Sequence, residues 1–276
     1  MPTPASSLSF TSVTARLRTA GCVFAEEEAR LLLNAAPDPA SLERMLLDRA
    51  DGLPLEQVLG RAEFHGLSIA VAPGVFVPRR RSEFLVDVAL ALTPPGATVV
   101  DLCCGTGALG AALAAAADGP VDLHAADLAP AAVACARRNT AAFGGRVHEG
   151  DLCAALPSAL RGRVDLLLAN VPYVPTGEIA LLPAEARLHE ARLALDGGTD
   201  GLDVLRRVAA EAGSWLAPGG SLLFETGEHQ AAEASALVTA AGLAGRVDTS
   251  ASHGATVVVG TAGKPLVTGG MSGQDG

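Results

Sequence analysis

A chain of 276 residues has room for one large domain and a small one, and 49% hydrophobic content with 3% aromatics calls for a core of Ala, Val and Leu. A formal charge of −10 and a pI near 5.0 argue against a broad grip on phosphate backbones, so no stable nucleic-acid binding is expected. Five cysteines (Cys22, Cys103, Cys104, Cys135 and Cys153), without C-x-x-C or zinc spacing, fit a reduced cytoplasmic chain with no metal site, and nothing reads as a secretion signal or membrane span.

Residues 11 to 60 read as several short helices. Thr11 or Ser12 can cap the first, FAEEEARLLLNAA has a clear helical face, and Ser41 opens SLERMLLDRA. This predicts an N-terminal helical domain over 1–62. FHGLSIAVAPGVFV, at 64–77, then alternates with period two around Pro73-Gly74, which predicts a β-hairpin connector over 63–80. From about residue 84 apolar strands alternate with Gly-rich turns and Ala-rich helices. ATVVDL, VDLHAAD, GRVHEG, VDLLLAN and GSLLFET are the strand candidates, and 107–117, 129–142 and 200–215 the helical ones. Such alternation predicts an α/β domain over 81–262, its mostly parallel sheet covered by helices on both faces and binding ligands at the strands' carboxyl ends. The Gly-rich end, 263–276, reads as a disordered tail.

In VVDLCCGTGALG, Gly105, Gly107 and Gly110 satisfy G-x-G-x-x-G between a strand and a helix. Alone the match is weak, because a tight turn with no ligand would look the same. A dinucleotide would bring its pyrophosphate to the helix N-terminus. Asp101 beside that spot would repel it and favour a cation, such as the ammonium and sulfonium of S-adenosylmethionine. Asp127 ends the next strand candidate, where a carboxylate can accept both ribose hydroxyls; it could equally cap the following helix. Asp151, followed by Leu152, could meet the adenine amino group or be a plain turn residue. Cys103 and Cys104 lie in the loop and read as buried small hydrophobes.

After VDLLLAN the chain continues Val171-Pro172-Tyr173, so Asn170 opens the tetrapeptide N-V-P-Y. An amide nitrogen is a poor nucleophile, because its lone pair is delocalised into the carbonyl. Catalysis must hold it in line with the methyl group and stabilise the developing charge. The Asn170 oxygen and an adjacent backbone carbonyl can accept its two N–H bonds, Pro172 fixes the backbone, and Tyr173 offers a face to the planar group. Taken alone, the tetrapeptide is also consistent with a polar strand end and a proline turn.

Here the sequence resembles the HemK/PrmC family, the protein glutamine-N5 methyltransferases that act on peptide-chain release factors. The resemblance runs from about residue 54 to 230. It rests on PLEQVLGRAEFHGLSIAVAPGVFVPRRRSE, DLCCGTGALGAALA, AADLAPAAVACARRN, NVPY, LALDGGTDGLDVLRR and LAPGGSLLFETGEHQ. It implies a seven-stranded Rossmann-like class I methyltransferase domain behind a small helical domain that helps recognise the release factor. It also implies methylation of the glutamine in a Gly-Gly-Gln loop. Asp101, Cys103, Gly105, Thr106, Gly107, Asp127, Asp151, Leu152 and Asn170 become the expected cofactor contacts, and Asn170 to Tyr173 the substrate clasp. The chain departs from the family at Val171, where the usual N-P-P-Y has proline, at Cys103, where the loop has glycine, and at Arg80-Arg81-Ser82 in place of Pro-Asp-Thr.

Arg79 to Arg81 read first as a solvated turn and second as a docking patch for an acidic partner. Glu190 reads either as a residue near the substrate or as a solvent-facing helix residue. His65, His189 and His253 have no partners at ligand spacing. Rival functions are an adenine-N6 or RNA-amine methyltransferase, a nicotinamide-dependent oxidoreductase, and a non-catalytic binding module.

Overall fold

The computed structural model describes residues 8–263. Apart from Gly263, the expected tail lies outside the described residues. Helices α1 (Phe10–Thr19), α2 (Ala25–Ala35), α3 (Pro39–Ala50) and α4 (Leu55–Leu59) come first. They enclose their own core of Val13, Leu17, Ala25, Ala29, Leu32, Leu42 and Leu46. Two caps differ from expectation. Ser9, ahead of Thr11 and Ser12, caps α1, and Asp38 caps α3 by accepting the Ser41 amide at 2.8 Å. Pro39 takes the first helical position, where its missing N–H costs nothing.

A hairpin of β1 (Arg61–Phe64) and β2 (Leu67–Ala70) follows. Its turn is His65-Gly66, not Pro73-Gly74. Phe64 pairs directly with Leu67, and both turn residues have positive φ, 47° and 76°. That is the two-residue geometry that matches strand twist, with glycine taking the second left-handed position freely. The His65 ring bonds Asp87 at 3.1 Å, and its amide donates to Glu83. Pro73-Gly74 lies beyond the pairing, in the link to α5 (Glu83–Leu90).

The large sheet contains β3 (Thr98–Leu102), β4 (Asp122–Asp127), β5 (Arg146–Glu149), β6 (Val164–Ala169), β7 (Leu216–Thr226), β8 (Ala244–Ser250) and β9 (Ala255–Thr261). Their order is β5-β4-β3-β6-β7-β9-β8, with β9 antiparallel to both of its neighbours and the other pairs parallel. Helices α6 (Ala108–Ala116), α7 (Pro130–Thr140), α8 (Ala184–His189), α9 (Asp203–Trp215) and α10 (Ala231–Ala240) complete the chain. Successive residues of a strand face opposite ways. Val99, Leu166 and Leu168 therefore join α5 and α6 in one core, while Val100, Leu167 and Ala169 join Trp215 and Val208 of α9 in the other. Chain order reverses about β3, whose neighbours are β4 and β6, and that switch point is where such sheets bind ligands. No helix among the described residues is long and apolar enough to cross a membrane.

Candidate active site

A cavity of about 650 Å³ opens at the carboxyl ends of β3, β4 and β6. Cys103, Gly105, Thr106, Asp127, Asp151, Leu152 and the whole Asn170-Val171-Pro172-Tyr173 segment line it. Asp127, at the tip of β4, holds the glycine loop. Its Oδ2 accepts the Gly105 amide at 2.8 Å and its Oδ1 the Ala129 amide at 2.9 Å. The cap expectation is thus met only as a turn bond, since Ala129 is the residue at the N-cap of α7. A Cβ on Gly105 would meet nothing within 4 Å, so ligand can come close to this backbone.

Two expected contacts do not reach the cavity wall. Asp101 is fully buried, and its Oδ2 accepts the Gly110 amide of α6 at 3.0 Å, tying the strand to the helix from behind the loop. Burial, the neighbouring Asp127 charge adding to it, pushes its carboxyl up to about 7 against the pull of the Gly110 amide. Asp101 thus does not face the cavity, where the sequence reading expected it to meet the ligand. Gly107 packs inward too, where a Cβ would stand 3.1 Å from the Ala136 backbone of α7. It permits helix packing rather than ligand contact.

Cys103 occupies the family's glycine position with φ of 52°, in the left-handed region that side chains rarely adopt. It is half-buried at the cavity edge, while Cys104 is buried. Burial pushes the Cys103 thiol up to about 12 and raises that of Cys104. Both stay protonated. Asp151 pairs with Arg207 of α9 at 2.7 Å, and Leu152, with φ of 48°, turns the chain beside it.

The clasp is braced by residues that periodicity did not single out. The Tyr173 hydroxyl donates to Glu225 Oε1 of β7 at 2.9 Å, while Arg81 bonds both groups and lies over the ring. Burial, with the Glu225 charge, raises the Tyr173 hydroxyl above the usual phenol range. Gln230 donates to the Tyr173 carbonyl at 3.1 Å. The Asp196–Gly201 loop packs beneath: the Val174 carbonyl accepts the Gly197 amide, and a Cβ on Gly197 would come within 2.7 Å of the Pro172 oxygen. Among the described residues no backbone N–H donates to the Val171 carbonyl. All of these braces except Arg81 lie in the segments LALDGGTDG and FETGEHQ, and that resemblance was their only signal.

Arg79 and Arg81 are tied into ion pairs, while Arg80 and Arg81 stay exposed in a short 3-10 turn, so the solvated-turn reading holds only in part. Arg79 reaches both oxygens of Glu190 at 2.7 Å, and Glu190 also accepts the Val77 amide. The Glu190 side chain has no exposure. It ties the segment after the hairpin to the end of α8 instead of facing solvent. These three histidines stay apart: His65 lies in the hairpin turn, His253 stacks on Phe84, and the His189 Nε2 is buried without a partner among the described residues.

Comparison with known proteins places this geometry. The Methyltransferase small domain family matches residues 66–200. A release factor glutamine methyltransferase of Cereibacter sphaeroides is 40% identical over 251 residues, 83% of this chain and 88% of the relative. The chain belongs to the release factor glutamine methyltransferase family. A 4-amino-L-phenylalanine/4-methylamino-L-phenylalanine methyltransferase of Streptomyces pristinaespiralis is 38% identical over 215 residues, 75% of this chain and 73% of the relative. Among solved structures, a methyltransferase from Pyrococcus furiosus superposes with a TM-score of 0.53 at 17% identity, covering 72% of this chain and 90% of that one, which shows the shared fold.

As an enzyme of this family the chain uses S-adenosylmethionine, and its residues fit that cofactor. The Asp127 oxygens each keep a lone pair for a hydroxyl donor beside the open face of Gly105. The nicotinamide and non-catalytic readings are set aside by the family match.

Proposed function

We propose that this enzyme methylates the side-chain amide nitrogen of a protein glutamine, in the Gly-Gly-Gln loop of a peptide-chain release factor, and that it does so in the cytoplasm. The observation that carries this reading is that Asn170 to Tyr173 and the Asp127-held glycine loop line one cavity. Bound S-adenosylmethionine supplies a methyl group made electrophilic by its sulfonium. The protein's part is to present a nitrogen to it.

The Asn170 side-chain oxygen and the Val171 carbonyl accept the two N–H bonds of the substrate amide. Drawing on both hydrogens favours the positive charge that grows on nitrogen and fixes its lone pair toward the methyl. Val171 meets this need as proline would, because only its carbonyl is used. The Tyr173 ring, pinned by Glu225 and Arg81, gives the planar amide a face to rest on. Its hydroxyl stays protonated and is no base; the product nitrogen loses its proton to water.

Incubation with labelled cofactor and either purified release factor or nucleic acid tests the reading. Label on the Gly-Gly-Gln peptide is expected, and label in nucleic acid alone overturns it. The Streptomyces relative supports a second reading, an aromatic amine of a free amino acid in the same clasp. Parallel assay with 4-amino-L-phenylalanine separates the two.

A further inference from the structure

We infer that a second cavity beside the clasp receives the polypeptide that flanks the methylated glutamine. This deepens the proposed function and rests on it. The cavity, about 470 Å³, lies where the carboxyl end of β7 meets the turn between β8 and β9. It shares Arg81 and Tyr173 with the cofactor cavity. A substrate whose side chain enters the clasp across Tyr173 can therefore continue into it.

The walls suit a bare backbone. Hydroxyls of Thr249 and Thr256 can each donate or accept, while that of Thr226 already donates to Gln230 and that of Ser250 already meets Ser252 and His253. Glu225 decides what they would meet. Its side chain is 3% exposed, with Oε1 held by Arg81 at 2.8 Å and by Tyr173, while its buried Oε2 has no partner among the described residues. A buried acceptor without a donor is costly, and a ligand N–H would relieve it. Backbone amides bring such a donor at almost every residue. The glycines beside the glutamine add no side chain that a polar cavity of this size would have to accommodate. Glu225 thus links the two cavities: one oxygen positions the clasp and the other accepts from the substrate.

The test is steady-state kinetics with purified release factor for two variants of the full chain. Thr249→Trp fills the cavity from the exposed edge strand β8 without touching the core. Glu225→Gln keeps the shape of the side chain and removes its charge. Both should raise KM for the release factor by at least about tenfold, while S-adenosylhomocysteine affinity, read by calorimetry, stays within about twofold. An unchanged KM in Thr249→Trp overturns the subsite, as does a Glu225→Gln variant that loses kcat alone. If the wild type labels no release factor, the functional reading fails and the subsite with it; an active wild type beside an unaffected Thr249→Trp fails the subsite only.

Discussion

Asn170 and Asp127 serve the same cavity in different ways, and single substitutions should separate them. Asn170→Ala removes the proposed acceptor for the substrate amide, so transfer is expected to vanish. S-adenosylhomocysteine affinity should stay within about tenfold, roughly 1.4 kcal/mol. Asp127→Ala removes the partner of two loop amides as well as the proposed ribose acceptor. It should weaken S-adenosylhomocysteine binding by more than about tenfold, since a hydrogen bond to a charged group contributes about 1.5 to 3 kcal/mol; calorimetry reads both. Asp101 gives a pH signature. Its folded carboxyl is raised from 3.8 to about 7, so the folded state holds the proton more tightly than the unfolded chain. Its contribution is fully present below about pH 3.8 and is lost as pH rises to about 7. The stability of wild type relative to Asp101→Asn, from urea unfolding of the ligand-free proteins, should fall across that window; a flat difference would contradict the burial argument. Residue types at strand ends were legible in the sequence, but their facing was not. Asp101 and Asp127 both lie at the carboxyl ends of strands, and only packing decides that one lies behind the loop and the other lines the cavity.

At the level of elements, the five parallel strands were all among the candidates, and β3, β6 and β7 carry short apolar runs closed by a turn. β8 and β9 were not among those strand candidates. The residues of β8 are largely exposed, as an edge strand's can be, so AGRVDTS carries no apolar run. A hairpin was expected over 63–80 and lies at Arg61–Ala70, with its turn misplaced because Pro-Gly is a strong general turn signal and His-Gly a weak one. The Asp196–Gly201 loop shows what periodicity misses. A Cβ at Gly201 would overlap the Tyr173 carbonyl oxygen, and its φ of 80° already excludes most side chains. Gly201→Ala is therefore expected to cost about 2 to 3 kcal/mol in urea unfolding. It should lower kcat more than it weakens S-adenosylhomocysteine binding, because it displaces the clasp and not the glycine loop.

Across the whole molecule, the first four helices and the sheet have separate cores, and Arg49 of α3 bridges them. Its guanidinium, 11% exposed, bonds Glu28 of α2 at 2.7 Å and Glu185 of α8 at 2.6 Å. No local pattern announces a pairing between residues 49 and 185; only the folded chain brings them together. Removing one partner of a buried pair strands the other, so Arg49→Ala should destabilise the helical unit by about 3 kcal/mol. Hydrogen exchange should then show α1 to α3 losing protection while β3, β6 and β7 keep theirs. Glu185 also lines the cofactor cavity. One cation is thereby shared between the bundle and the wall of the reaction chamber, so a partner that tilts the bundle on arrival also pulls on that wall. Any displacement of the bundle would thereby reshape the cavity in which methyl transfer is proposed to occur.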